Sequence, residues 1–183
     1  MLEEQGLEFE VRPVGIDETP RPGEEGRDYA LRLAEEKARA AAREGELILA
    51  ADTVVVLDGE LLGKPADDAE AAVMLGRLSG RWHEVLTAVA ICDLDRGIRL
   101  AQVEATRVLF AELSMEEISW YVATGEPGDK AGAYGIQGHG ALFVERIEGN
   151  YSNVVGLPLP VVYRLLRNAG FDVVAPRAQA LRR

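Results

Sequence analysis

The chain has 183 residues, 48% apolar and 28% charged, an ordinary balance for a protein long enough to bury a sizeable core. Its formal charge of −11, spread along the sequence, opposes the basic footprint of nucleic-acid-binding proteins, so no nucleic-acid partner is expected. No run approaches the ~18 continuous apolar residues of a membrane span. The N-terminus "MLEEQGLEFE" lacks a signal-peptide layout and the single Cys92 suits a reducing compartment, so a cytoplasmic protein without membrane contact is expected.

In chain order, residues 2–5 read as the tail of a helix stopped at Gly6, and "LEFEV" (7–11) alternates as a strand. A loop rich in proline and glycine, 12–26, leads into "RDYALRLAEEKARAAARE". This is a helix closed by Gly45, with Leu31, Leu33, Ala34, Ala38 and Ala41 as its apolar face. "LILAADTVVVLDGELLGKP" (47–65) follows as a buried strand, with Asp58-Gly59 as a hairpin turn. Asp67 caps a helix through Leu78, and strands at 82–94 and 98–112 flank the turn Asp95-Arg96-Gly97. Ser114-Met115-Glu116-Glu117 fits a capping box opening a helix over 114–123. A polar glycine-rich stretch, a strand "ALFVERI" (141–147) and a helix from Pro158 to Asn168 complete the pattern. Strands alternating with helices, some paired as hairpins, imply an α/β protein with a mixed sheet and flanking helices.

Three features carry chemistry. The run 47–57 is interrupted by Asp52 and Thr53, and a carboxylate is among the least tolerated groups in a core. Asp52 either caps a turn or projects into a crevice at the sheet, where it could hold a divalent metal or take a proton from an attacking water. Thr53, pointing the other way, could hydrogen-bond a substrate. Second, positive charge is written as 17 arginines and only three lysines, Lys37, Lys64 and Lys130. A lysine ammonium is a compact point charge that reaches phosphate oxygens where a guanidinium fork does not fit; the alternative is three ordinary solvated side chains. Third, "GEPGDKAGAYGIQGHGA" (125–141) holds six glycines among Asp, Lys, Tyr, Gln and His. Closely spaced glycines let backbone amides approach an anion or a flat base, and Gln137 can donate to and accept from a base edge.

Other motifs fail. Gly59-Glu-Leu-Leu-Gly63-Lys64-Pro65 is one residue short of a P-loop and has proline where Ser or Thr would meet magnesium. His83 and His139 have no zinc spacing, and no serine sits in a hydrolase elbow.

Together "RLAEEKA", "ADTVVVLDGELLGKP", "LSGRWHEVLTAVA", "YVATGEPGDKAGAYGIQGHGALFVERIEG" and "NVVGLPLP" resemble the Maf family of nucleoside triphosphate pyrophosphatases, in the family's order from about residue 5 to 170. The resemblance implies one domain over 1–176, elongated, with two lobes around a central cleft. Residues 177–183 are expected to fray, and a homodimer is expected. It implies hydrolysis of dTTP and UTP, with modified pyrimidine nucleotides as further candidate substrates, to the monophosphate and pyrophosphate with a divalent cation, Mg²⁺ or Mn²⁺. On matching positions, Asp52 falls on the family's proton acceptor, Thr53 and Gln137 on residues of substrate choice, and Lys37, Lys64 and Lys130 on family lysines. Glu18, Glu35 and Asp129 are candidates to join Asp52 at the metal. Trp82, Ala88 and Asn150 depart from the commonest family residues, with local effects expected. Two alternatives stay open: a nucleotide-binding regulatory module without turnover, and a pyrophosphatase acting on 7-methyl-GTP or other non-canonical nucleotides.

The family pattern also implies an apolar strand and a Ser-x-Arg-Arg segment ahead of "LEEQGLEFEV". Neither precedes it here, so a start at an internal methionine and a weakened activity are expected.

Overall fold

The computed structural model describes residues 1–173; the expected frayed tail 177–183 lies outside the described residues. Its centre is one five-stranded sheet: β1 (Leu47–Leu57), β2 (Glu60–Leu62), β3 (Trp82–Asp93), β4 (Ile98–Phe110) and β5 (Val144–Glu148), in the order β2-β1-β3-β4-β5. The helices are α1 (Gly26–Ala41), α2 (Asp68–Leu78), α3 (Met115–Ala123), α4 (Tyr151–Val155) and α5 (Leu159–Asn168). The α/β architecture with flanking helices is the one expected. Within it all four described pairings are antiparallel, so the sheet carries no parallel component.

Tight turns impose much of that order. Asp58 and Gly59 both take positive φ, 53° and 83°, the geometry that folds β2 back on β1. Between β3 and β4, Gly97 has φ 64°, and the Asp93 carboxylate accepts from Arg96 N at 3.0 Å and Nε at 2.7 Å. The caps read from sequence are present: Asp67 accepts from Glu70 N at 2.8 Å, and Ser114 and Glu117 form the reciprocal box.

Residues 85, 89 and 91 of β3 face one way and 86, 88 and 90 the other, as a pleat requires. On the second face Ala30, Ala34 and Ala38 of α1 meet Val54, Leu86, Ala88 and Ala90; small side chains on both partners let the helix lie close. The first face carries two clusters. One gathers α2, α3 and the glycine-rich segment around Val55, Val85 and Phe110, and the other packs α5 on Val89 and Ile91. Between them the fully buried Thr87, Thr106 and Asn153 form a polar seam.

Four local readings change. "LEFEV" is not a strand, because a strand exists only where a partner completes its ladder. It makes no pairing, Phe9 and Val11 are exposed, and only Leu7 packs, on the α5 cluster. The first long helix ends at Ala41, since Arg12 Nη1 takes the Ala41 carbonyl at 2.9 Å and grips Glu46. The last strand begins at Val144, because His139–Phe143 form a 3-10 turn. Finally α4 was not expected. Asn150 caps it by accepting from Asn153 N at 3.1 Å, and Gly156 closes it at φ 110°. Among the described residues no helix is long and apolar enough to cross a membrane.

Candidate active site

β2 pairs only with Val55–Leu57 of β1, so among the described residues the outer edge of β1 from Leu47 to Val54 has no strand partner. A cavity of about 510 Å³ wraps around this open edge and is lined from both faces of the sheet. Asp52 enters it from the α1 face and Thr53 from the other, because adjacent strand residues point oppositely. That placement answers the interruption in the strand: both polar residues face the opening.

The cavity has two unlike halves. The charged half holds Glu18, Lys37, Asp52, Lys64, Asp129 and Lys130. At its centre Lys37 Nζ lies 2.5 Å from Asp52 Oδ1 and 2.7 Å from Glu18 Oε1. Glu18 belongs to the loop before α1, and its approach is braced from the helix. Arg32 forks onto Glu24 at 2.6 and 2.8 Å and reaches the Thr19 carbonyl, while Tyr29 donates to the Glu18 carbonyl at 2.8 Å. The Arg32 fork holds the Glu24 carboxyl down at about 2. Lys130 pairs with Asp129. Lys64 has no ion pair among the described residues, although its field reaches Glu18, Asp52 and Asp129.

Burial pushes the Asp52 carboxyl above its ordinary range, with the Lys37 ammonium opposing that rise. For Lys37 burial disfavours the charge, but the bonds to Asp52 and Glu18 outweigh it and raise its pKa. Glu18 is lowered by its bond to Lys37. The resting site is therefore an ammonium clamped between two carboxylates, one of them made more basic by desolvation.

The other half is apolar, formed by Val55, Val85, Ile136, Val154 and Val155, with Thr53 and Gln137 as its polar groups. Tyr134 closes it and bonds His83 Nε2 at 2.8 Å. The segment carrying Gln137 is pinned by Glu126, whose carboxylate accepts from Tyr121 Oη, His139 N and Nδ1, and Gly140 N at 2.8 to 3.1 Å. Gly140 allows no side chain: a Cβ there would meet the Gly135 carbonyl at 2.4 Å and Tyr121 Oη at 2.7 Å.

Of the residues singled out from sequence, Glu18, Lys37, Asp52, Thr53, Lys64, Asp129, Lys130 and Gln137 line this one cavity. Glu35 does not. Two positions from Lys37 on α1 is more than half a turn, and Glu35 lines a separate cavity with Arg39 and Arg99. Glu126, Tyr121 and Thr87 were not foreseen. Thr87 carries the same signal as Asp52, a polar residue inside an apolar strand.

Among the described residues no three His, Cys, Asp or Glu side chains come together as a metal cluster. Magnesium, however, binds through one or two carboxylates plus substrate phosphates. Glu18 and Asp52 already converge on one point, the Lys37 ammonium, so this donor set fits a divalent cation brought with a polyphosphate.

A family described as Maf-like protein matches residues 1–169. The chain belongs to that family. Its Maf-like relatives include dTTP/UTP pyrophosphatases from three bacteria. That of Anaeromyxobacter dehalogenans is 57% identical over 175 residues, covering 94% of this chain and 89% of the relative. That of Syntrophomonas wolfei is 51% identical over 176 residues, covering 95% and 93%. That of Geobacter sulfurreducens is 52% identical over 172 residues, covering 93% and 90%.

Proposed function

We propose that this Maf-like chain is a nucleoside triphosphate pyrophosphatase that converts dTTP and UTP to the monophosphate and pyrophosphate. The observation that carries it is the joining, in one cavity, of a charged half built on Asp52 and three lysines to an apolar half that holds Thr53 and Gln137. The activity named for its relatives supports the same reading.

In this reading the base lies in the apolar half and the phosphates extend to the lysines. Lys64 and Lys130 bind phosphate oxygens as point charges. The incoming phosphates also compete for Lys37, which frees Asp52 from its clamp. Asp52, raised by burial, then takes a proton from a water whose oxygen bonds to the α-phosphorus, while the bond from that phosphorus to the bridging oxygen breaks. The leaving pyrophosphate departs with the electron pair, and the lysines balance its growing charge. A divalent cation, held by Asp52 and Glu18 together with phosphate oxygens, would supply further neutralisation of that charge. The apolar half excludes water from the base and leaves Thr53 and Gln137 to read its edge. A cytoplasmic setting, where these nucleotides occur, completes the proposal.

The test is turnover of a panel of dTTP, UTP, CTP, GTP and 7-methyl-GTP with Mg²⁺ or Mn²⁺, with pyrophosphate and orthophosphate measured separately. Pyrophosphate from dTTP and UTP, lost in Asp52→Asn, is the expected result. Binding of dTTP without pyrophosphate release at any metal concentration, or a clear preference for GTP, overturns it.

A further inference from the structure

Behind Thr53, away from the cavity, stands Thr87, fully buried and directly opposite it in the β1–β3 register. The two hydroxyl oxygens are 2.9 Å apart, and Thr87 Oγ1 is also 3.1 Å from the Asn153 carbonyl. A carbonyl oxygen only accepts, so the contact with Asn153 is a hydrogen bond only if the single Thr87 proton goes there. Thr53 must then donate to Thr87. The opposite assignment would leave two proton-free oxygens 3.1 Å apart in a buried seam, the kind of unpaired contact that folded proteins avoid.

Asn153 cannot drift to accommodate the other assignment. Its side-chain nitrogen donates to the Val85 carbonyl at 2.9 Å and to Thr106 Oγ1 at 3.0 Å, and its own carbonyl also takes Gly156 N at 2.9 Å. The chain of donors therefore has one direction, from Thr53 to Thr87 to the Asn153 carbonyl. With its proton committed backwards, Thr53 offers the cavity lone pairs only.

We propose that Thr87 is a positioning residue that fixes Thr53 as a hydrogen-bond acceptor, so that the apolar half selects bases bearing a ring N–H, thymine and uracil, and rejects cytosine, whose corresponding nitrogen carries a lone pair. This rests on the pyrophosphatase reading for the identity of the ligand, while the direction of the relay rests on the hydrogen bonds alone. Thr87 does not line the cavity, so its influence passes through Thr53.

The experiment compares UTP with CTP, as kcat/KM and as calorimetric Kd, in the parent, Thr87→Val and Thr87→Ser. Valine is nearly isosteric and removes the relay; the Thr53 proton, left without its acceptor, can turn to the cytosine nitrogen. The UTP-over-CTP ratio should then fall by about tenfold. Serine keeps the relay and should restore the parental ratio. An unchanged ratio in folded Thr87→Val overturns the proposal, as does a parent that treats CTP as well as UTP. A parent that prefers UTP in binding but releases no pyrophosphate fails the pyrophosphatase reading alone. If Thr87→Val does not fold, the parent is tested with UTP methylated at the ring nitrogen. Loss of binding supports the acceptor role, and binding equal to that of UTP overturns it.

Discussion

Lys37 Nζ lies 2.5 Å from Asp52 Oδ1, and both side chains are mostly hidden, with 22% and 10% exposure. Two needs meet in this one contact. The fold requires a counter-charge for a desolvated carboxylate, and in the proposed reaction a base for water must not be permanently paired. Both are served if Lys37 has somewhere else to go when phosphate arrives.

Lys37→Met is therefore expected to reduce stability as well as activity. Removing one partner of a pair that is mostly hidden yet opens on the cavity falls between the surface and interior cases, at about 2 kcal/mol. The lost counter-charge raises the Asp52 pKa further. A raised carboxylate pKa disfavours the fold above the unfolded value and not below it, so the deficit should be full at neutral pH and shrink towards pH 4. Adding Asp52→Asn should restore the thermal stability of Lys37→Met while leaving pyrophosphate release abolished. Equal melting temperatures for Lys37→Met and the parent at pH 7 would show that the pair does not hold the site together.

His83 makes a second pH-dependent contribution. Burial depresses its pKa from 6.5 to about 4, so the folded chain holds a neutral ring where the unfolded chain binds a proton. The unfolded state thus binds more protons between these values, and stability falls as pH drops through that window, by roughly 3 kcal/mol in all. Carboxylates with lowered pKa values, such as Glu18 and Glu117, act at the lower end. Denaturant titrations of the parent and His83→Gln between pH 5 and 6.5 isolate the histidine, because glutamine can still bond Tyr134 and does not titrate. A parent slope no steeper than that of the variant would contradict the burial of this ring.

What could be read from the sequence was what is written locally. Asp52 announced itself as a charge in an apolar run, Asp58-Gly59 as a turn needing two positive φ angles, and Ser114 with Glu117 as a reciprocal cap. The scarce lysines pointed to the cavity because composition is visible without a fold. What could not be read depends on which distant segments meet. "LEFEV" has strand alternation but no partner, and alternation cannot reveal that. The three candidate carboxylates beside Asp52 looked equivalent, yet only the phase of α1 separates Glu35 from Lys37. The Thr87 relay joins residues 66 positions apart, through a short helix whose local signs are the caps at Asn150 and Gly156.

Glu126 is expected to act on substrate affinity through the glycine-rich segment. Burial opposes its charge, but the bonds from Gly140, Tyr121 and His139 outweigh that and hold its carboxyl below the ordinary value. Glutamine has one oxygen in place of two, and its amide nitrogen, itself a donor, would face either Gly140 N or His139 N. Glu126→Gln should loosen the segment bearing Gln137 and raise KM for dTTP about tenfold, the equivalent of ~1.4 kcal/mol, with a smaller change in kcat. Amide exchange at residues 135–140 should quicken at the same time. A variant with parental KM and parental exchange would remove Glu126 from this role.

Lys64 should separate binding from folding. It is exposed and has no ion pair to lose among the described residues, so Lys64→Met is expected to leave stability within about 0.5 kcal/mol of the parent, as surface substitutions usually do. Its charge, however, faces the carboxylates of the site, adding to the lowering of Glu18 and opposing the rise of Asp52. Without it two effects should add: in the proposed complex the triphosphate loses a phosphate contact, and the Asp52 pKa moves up. KM for dTTP should rise by roughly tenfold or more, in line with ~1.5–3 kcal/mol for a hydrogen bond to a charged group. The acid limb of the pH–rate profile should shift to higher pH, since a base with a raised pKa stays protonated further up the scale. The rise in KM should also weaken the salt dependence of dTTP binding, because one fewer exposed cation attracts the anion. Thermal melts, pH–rate profiles and KM at two ionic strengths decide it. If Lys64→Met lowers stability as much as Lys37→Met, or leaves KM unchanged, this lysine is not part of the phosphate grip.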